Sequence, residues 1–296
     1  MNIKKTKDYP ESIFKYCHLK NKNHVDNLIK NKIWLSNPLT FNDPYDCSIT
    51  FNAEKINTIM VNNEISNILD SFPEDEIPTS VKTQIISSSN PKNKLLSTIE
   101  KIITTKEGLE ELNYINGILR PKINREVIEN FNQLYKSKLK VSSFSENNLS
   151  MLMWGHYADS HQGFCIEYDI KSMPEEENIK KYLFPIEYTD TIYDITQFYI
   201  DNVINKNQLD INSLIKSVLY KSKEWSYEKE WRFVITNSEC SDNTISTPKP
   251  KAIYLGSKID KSHKKQFIEL CKKNDIPISY MQLNNKYFKI ESKAIE

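Results

Sequence analysis

Glycine is scarce in this sequence, which holds only five among its 296 residues. They are Gly108, Gly117, Gly155, Gly163 and Gly256. No group of them has the Gly-x-Gly-x-x-Gly spacing, and none belongs to a Walker-type phosphate loop. Both kinds of loop need glycine because the backbone must approach the phosphates closely. The scarcity therefore argues against a P-loop NTPase and against a standard Rossmann dehydrogenase.

Cysteine pairs, long apolar runs and an excess of charge are also missing. The five cysteines are scattered without a Cys-x-x-Cys pair, and the N-terminus is too polar for a secretory signal. No apolar run approaches the roughly 20 residues that cross a bilayer. We therefore expect a cytoplasmic protein with reduced thiols and no membrane partner. The 40 basic and 39 acidic residues give a net charge of +1, which provides no general attraction to nucleic acid.

Strand-like runs occupy both ends of the sequence, and helical stripes occupy the middle. Short runs with strand character lie at residues 12–17, 33–36, 141–145, 163–168, 184–188 and 231–235, and the proline in 184–188 favours an edge strand there. We predict one α+β domain, whose interrupted mixed or antiparallel sheet is built from residues 1–52 and 140–296. Residues 53–139 are predicted to be a helical insertion, and a further helix is predicted over 211–222.

Residues 225–232 carry the densest chemical signal. Glu228 and Glu230 lie two positions apart among aromatic residues, and Arg232 follows where the polar run enters a strand. Side chains at this spacing point the same way from an extended backbone. A carboxylate held beside aromatic rings and a guanidinium is suited to stabilising a developing positive charge. A solvated run of charge at the start of a strand is the alternative interpretation.

Three groups elsewhere could combine with Glu230: residues 14–16 with Lys15 and Tyr16, residues 142–146 with Ser143, Phe144 and Ser145, and a polar cluster within residues 153–163. The loop that carries Asn42 and Asp43 is a further candidate. Serines in a strand can orient a carboxylate or line a pocket. Each group also has a plain structural interpretation: a lysine beside a core tyrosine, an Asn-Asp-Pro turn, and ordinary strand serines.

A denser polar cluster lies within residues 153–163. Its members are Trp154, His156, Tyr157, Asp159 and His161. A metal-assisted hydrolase or nuclease would use His156, Asp159 and His161 together with Asp43 and Asp46. The His-x-x-Asp-x-His spacing matches no standard zinc or di-iron motif, so we expect no metal. These groups are interpreted as bonding to one another or to a ligand.

As a set, these motifs resemble the bacterial domain-of-unknown-function family 2971. The motifs that carry the resemblance lie at residues 14–16, 34–36, 41–44, 143–146, 154–157, 163–168 and 227–232. They extend over nearly the whole chain, and residues 53–139 are the least characteristic part.

The order of the motifs is similar, more distantly, to that of the ADP-ribosyltransferases. That superfamily carries a basic residue with an aromatic on an early strand, a Ser-x-Ser strand in the middle and Glu-x-Glu late. This chain has Lys15 where Arg or His is usual, Phe144 where Thr is typical, and long intervening segments. The resemblance implies an ADP-ribosyltransferase-like core, with NAD as the substrate and a protein or nucleic acid as the acceptor.

The resemblance also implies roles for individual residues. Breaking the nicotinamide–ribose bond of NAD passes through an oxocarbenium-like transition state. Glu230 would bind the ribose 2′-hydroxyl, Glu228 would position or deprotonate the acceptor, and Ser143 would orient Glu230. Lys15 would pair with the pyrophosphate. The further candidates for substrate contact are Tyr16, Phe144 or Trp154 around the nicotinamide ring, and Ser145, Asn42, Asp43, His156, Tyr157 and Arg232.

Such an enzyme would transfer ADP-ribose or simply cleave NAD, and a toxin or phage-defence effector fits bacterial families of this kind. Two other classes of function stay open at this point. One is the metal-assisted hydrolase or nuclease, and the other is a non-catalytic module that binds a nucleotide in an aromatic groove. A stoichiometric metal would favour the first, and ligand stabilisation without turnover would favour the second.

Overall fold

The computed structural model describes residues 8–20, 22–103, 105–207, 215–237 and 242–295. The α-helices described in these ranges are α1 (Lys22–Ile29), α2 (Ala53–Ser71), α3 (Thr79–Ile86), α4 (Pro91–Ile102), α5 (Lys106–Ile118), α6 (Arg125–Ser137), α7 (Met151–Tyr157), α8 (Asn178–Lys181), α9 (Thr196–Tyr199) and α10 (Lys261–Lys273). In the described parts of the chain, no helix has the length and apolar character needed to cross a membrane.

The strands are short segments that come mostly from the two ends of the chain. They are β1 (Ser12–Cys17), β2 (Lys32–Trp34), β3 (Ile49–Thr50), β4 (Leu139–Ser145), β5 (Phe164–Asp169), β6 (Leu183–Pro185), β7 (Glu187–Thr189), β8 (Tyr193–Asp194), β9 (Tyr220–Ser222), β10 (Glu230–Thr236), β11 (Thr244–Ser246), β12 (Ala252–Leu255), β13 (Ile278–Leu283) and β14 (Ile290–Ala294).

One large mixed sheet organises residues from both ends of the chain. Its strand order is β14-β13-β12-β5-β1-β4-β10-β6, in which β12 and β13 are parallel and the other neighbours are antiparallel. The segment between β3 and β4 contains α2–α6. The prediction of an α+β fold with a mixed sheet is therefore confirmed.

The two faces of this sheet differ because side chains alternate along each strand. On one face, Ile13 and Cys17 of β1 and Phe233 of β10 join an apolar core with Leu28 of α1 and Phe267 of α10. Burial of such side chains is the main favourable term in folding. This face therefore anchors the sheet.

The opposite face carries most of the polar candidates. Strand β4 lies between β1 and β10, with Ser145 opposite both Phe14 and Glu230, and Ser143 opposite Arg232. Cross-strand partners project from the same face of a sheet. The register therefore places residues 143, 145, 230 and 232 side by side, although the two strands are about a third of the sequence apart.

Among the described residues, 50–103, 105–132 and 194–207 belong to a second compact unit. Its helices pack through a stripe of isoleucines and leucines, including Ile65, Leu69, Ile85, Leu95 and Ile99. Helix α2 begins where the Asn52 side chain accepts a hydrogen bond from the Lys55 amide, which satisfies one of its free N–H groups. The helical stripes of the middle segment thus pack as an apolar core.

Candidate functional site

A cavity of about 180 Å³ lies beside β1, β4 and β10, and its lining includes residues from both faces of the sheet. Its walls come from the strands β1, β4, β9 and β10, from α7, and from the loops that precede β3 and β10. Eight of the residues proposed for catalysis or substrate contact line the cavity, as does Asp46 of the metal-site alternative. The eight are Lys15, Tyr16, Asn42, Ser143, Phe144, Tyr157, Glu228 and Glu230.

The backbone between the two glutamates is not extended, so that expectation is wrong. Glu228 ends a 3-10 helix (Lys223–Glu228), Lys229 has a left-handed φ of 44°, and Glu230 opens β10. The Lys229 amide donates to the carbonyl of Ser226 and closes the turn. Both carboxylates nevertheless contact the same Lys221 side chain, because the turn at Lys229 directs Glu228 toward it.

Glu230 is a carboxylate held by two cations. Its Oε1 accepts from Nε of Arg232 at 2.7 Å, and its Oε2 accepts from Nζ of Lys221 at 2.9 Å and from Nη2 of Arg232 at 3.0 Å. Burial alone would raise the pKa of Glu230, but the charges of Arg232 and Lys221 and their hydrogen bonds, with one from Ser143, hold it well below its ordinary value. Glu230 therefore stays ionised.

Glu228 has the opposite electrostatic character. Burial raises its pKa, the charge of Glu230 adds to this, and Lys221 opposes it. Its Oε1 accepts from the Tyr157 hydroxyl at 2.6 Å, and its Oε2 accepts from Lys221 at 2.5 Å. Neighbouring carboxylates whose environments push their pKa values apart are typical of acid–base pairs in enzymes.

Lys221 and Asp46 complete this buried network, and neither role was predicted from the sequence. Lys221 lies on β9 and contacts three carboxylates, with its Nζ 3.6 Å from Oδ2 of Asp46. Burial alone would lower the pKa of Lys221, but Glu230, Asp46 and Glu228 together raise it above its ordinary value. Nη2 of the fully buried Arg232 reaches the same Asp46 oxygen at 2.7 Å.

Ser143 and Lys15 also line the cavity. Ser143 lies opposite Arg232 in the sheet, and its side chain contributes to the lowered pKa of Glu230. Nζ of Lys15 donates to Oγ of Ser142 at 2.8 Å and to the Ser143 carbonyl at 3.0 Å. Burial lowers the pKa of Lys15. The early lysine, the middle serine and the late glutamate therefore converge on one cavity.

The aromatic candidates divide between the cavity wall and the core. Tyr16 and Phe144 line the cavity, and the Tyr16 hydroxyl donates to the carbonyl of Asn147 at 2.6 Å. Trp154 is fully buried and does not line the cavity. Its ring meets Tyr16 edge-on, at 5.3 Å between centroids, and its Nε1 donates to the Asn148 carbonyl. Trp154 thus supports Tyr16 from behind.

The other candidates also lie outside the wall. Ser145 is fully buried, and its Oγ donates to the Glu228 carbonyl at 2.6 Å, which fixes the turn that carries the glutamates. Asp43 accepts from the amide of Tyr45 in the loop, and the exposed His156 has its ring 6.4 Å from that of Tyr227. Ser145 and Arg232 therefore act on the two glutamates from behind the cavity wall.

The residues proposed for a metal site have other partners. Asp46 pairs with Arg232, and Asp159 pairs with Lys20 at 2.7 Å. Within the described ranges, no group of three or more His, Cys, Asp or Glu side chains is arranged to hold a metal ion. The metal-assisted alternative receives no support from this geometry.

Comparison with known proteins agrees with the resemblance over part of the chain. Residues 153–233 match the model of a family described as protein of unknown function (DUF2971). This stretch includes Tyr157, Lys221 and both glutamates, so much of the buried network lies in the matched region. Neither a curated protein nor a solved structure matches the chain.

Proposed function

We propose that the cavity binds the nicotinamide riboside end of NAD and that the protein cleaves the nicotinamide–ribose bond, in an ADP-ribosyltransferase-like core. The observation that carries this proposal is the convergence of Lys15, Ser143 and Glu230 on one cavity with an aromatic wall. Three motifs far apart in the sequence line this one cavity, which supports the proposal.

The chemistry begins with loss of nicotinamide. The bond between the ring nitrogen and ribose C1′ breaks, its electron pair stays on nicotinamide, and positive charge develops on the sugar. Glu230 supplies a fixed negative charge to that sugar and accepts a hydrogen bond from the 2′-hydroxyl. Because Arg232, Lys221 and Ser143 hold the carboxylate in place, it needs no reorganisation as the charge develops.

Glu228 is suited to the second half of the reaction. The acceptor attacks C1′ and loses a proton, which Glu228 takes in its ionised form; a water acceptor gives NAD cleavage instead of transfer. The raised pKa of Glu228 makes it a stronger base than an ordinary glutamate, and Tyr157 and Lys221 hold it in position.

The size of the site agrees with binding of one end of a dinucleotide. Pockets for whole drug-sized ligands measure about 300–1,000 Å³, which is more than this cavity offers. A second cavity of about 560 Å³ adjoins the first, because Asn42 and Lys221 line both. Lys221 is also the residue that donates to Glu228. We assign the acceptor to this larger space.

The test measures nicotinamide released from NAD by the purified protein, with and without candidate acceptors. We expect Glu230→Gln to abolish release, because the amide keeps the shape and removes the charge, and Ser143→Ala to reduce it. Lys249→Met is the matched control, since Lys249 pairs with Asp275 at the exposed surface and lines neither cavity. Equal release by wild type and Glu230→Gln would refute the mechanism, and NAD binding without release would favour a non-catalytic nucleotide-binding module.

A further inference from the structure

The large sheet has two edges, and they differ in how they are protected. Strand β6, at one edge, has three residues and ends in Pro185, which lacks the N–H group that a neighbouring strand would need. Strand β14, at the other edge, has five residues and no proline. In the part of the chain that the structure describes, β14 pairs with β13 and has no strand on its other side. An unprotected edge of this kind is a template for another strand.

Hydrogen bonding along β14 alternates between its two sides. In an antiparallel ladder, every second residue bonds to the same neighbouring strand. The carbonyl of Lys289 accepts from the Asn284 amide, and the Ile295 amide donates to the Ile278 carbonyl, so the odd-numbered residues bond to β13. The amides and carbonyls that point away from the sheet therefore belong to Ile290, Ser292 and Ala294.

The side chains of β14 are complementary to those of a second β14 that runs antiparallel to it. When Ser292 lies opposite Ser292 of a second copy, Glu291 of each copy lies opposite Lys293 of the other. Opposite charges that face each other across antiparallel strands stabilise the pairing. The same register sets Ile290 against Ala294. The outward backbone groups of both strands then lie opposite one another, and each such residue pair exchanges two hydrogen bonds.

The groups that this register uses are accessible. The side chains of Glu291, Ser292, Lys293 and Ala294 are exposed. Glu291 accepts a hydrogen bond from Nδ2 of Asn284 through one carboxylate oxygen, at 2.7 Å. Within the described ranges, neither Glu291 nor Lys293 forms an ion pair, so both charges are available to a second copy.

We propose that β14 pairs with β14 of a second copy of this chain, about a two-fold axis at Ser292, so that the two sheets become one. In a two-fold contact both copies present the same surface, so the strand must be complementary to itself, as β14 is. Phe288, just before β14, is 96 % exposed and adds aromatic surface beside this edge. Strands β13, β12 and β5 lie between β14 and β1, so the pairing uses no strand of the candidate site and does not depend on NAD cleavage.

Sedimentation equilibrium tests the proposal through the dissociation constant of the dimer. We expect wild type to dimerise, and Lys293→Glu and Glu291→Lys each to weaken the dimer at least about tenfold, because each variant turns both Glu–Lys contacts into contacts between like charges. Lys286→Glu is the matched control. It makes the same change of charge at an exposed lysine outside the register, so it should leave the dissociation constant unchanged.

Mixing the two charge-reversal variants tests the register itself. One variant then presents two acidic side chains and the other two basic ones, so both contacts of the mixed dimer are again between opposite charges. We expect the mixture to dimerise about as tightly as wild type. Ser292→Pro should abolish the dimer, since it removes an outward amide and leaves the bonds to β13 intact. Wild type that stays monomeric at its highest soluble concentration, a dimer that the single reversals leave unchanged, or a mixture that fails to dimerise would overturn the proposal.

Discussion

Replacing Lys221 by methionine tests the buried network most sharply. Lys221 contacts the carboxylates of Glu228, Glu230 and Asp46, and its side chain and all three of theirs are at most 5 % exposed. Removing one partner of a buried ion pair costs about 3–5 kcal/mol, because the other charge stays buried without compensation. Glu228 already has a raised pKa and can take up a proton, so we expect the lower end, about 3 kcal/mol.

The assay is urea unfolding of wild type, of Lys221→Met and of a matched surface variant, Lys223→Met. Lys223 pairs with Asp190, and both side chains are mostly exposed, so its loss should cost less than about 1 kcal/mol. Adding Glu228→Gln to Lys221→Met removes one uncompensated carboxylate and should restore at least about 1 kcal/mol. If Lys221→Met lowers the free energy of unfolding no more than Lys223→Met does, the buried network does not stabilise the fold as proposed.

The remaining predictions concern pH and packing. Because the folded-state pKa of Glu230 lies below its ordinary value of 4.5, its contribution to stability is present above pH 4.5 and is lost as the pH falls; Glu230→Gln should unfold with a weaker pH dependence in that acid range. Tyr157→Phe removes a hydrogen bond that lowers the pKa of Glu228. The acid limb of the pH profile of nicotinamide release should therefore move to higher pH. An unchanged acid limb would contradict the assignment of Glu228 as the base. Gly256→Ala should strongly lower the melting temperature, since a Cβ would lie 2.1 Å from a backbone carbonyl oxygen, whereas Gly117→Ala in a helix meets nothing and should stabilise by about 0.5–1 kcal/mol.

The general architecture could be predicted from the sequence because apolar patterning marks strands and helices locally. The runs at residues 12–17, 141–145 and 231–235 became β1, β4 and β10 with shifts of a few residues. The middle segment was expected to be helical and contains α2–α6. Patterning failed at residues 184–188, where one predicted strand proved to be parts of β6 and β7 in different sheets. Pairing depends on distant partners, so local sequence does not reveal such a break.

The predicted helix over 211–222 explains why Lys221 was missed. Residues 211–214 of that prediction lie outside the described residues, and Tyr220–Ser222 is the strand β9, which pairs with β7. A single lysine between polar neighbours looks like a surface residue, because its burial comes from carboxylates elsewhere in the chain. Asp46 was considered only as a metal ligand for the same reason. The signal that points to them is indirect: three acidic residues and one arginine, once buried together, require a further cation.

The resemblance predicted residues that share a pocket, but not how each side chain lies in it. Glu228, Glu230 and Ser143 were expected to share a pocket on the basis of resemblance, and they line one cavity. The turn at Lys229, the core position of Trp154 and the supporting position of Ser145 follow from backbone conformation and packing depth. Neither property can be read from residue type and spacing alone.

The most direct test of the central claim is a crystal structure of the Glu230→Gln variant with NAD bound. The proposal predicts nicotinamide beside Tyr16, the ribose 2′-hydroxyl against the side chain at position 230, and an acceptor space open toward Glu228. A nucleotide bound elsewhere, or a ribose that faces away from position 230, would contradict the account.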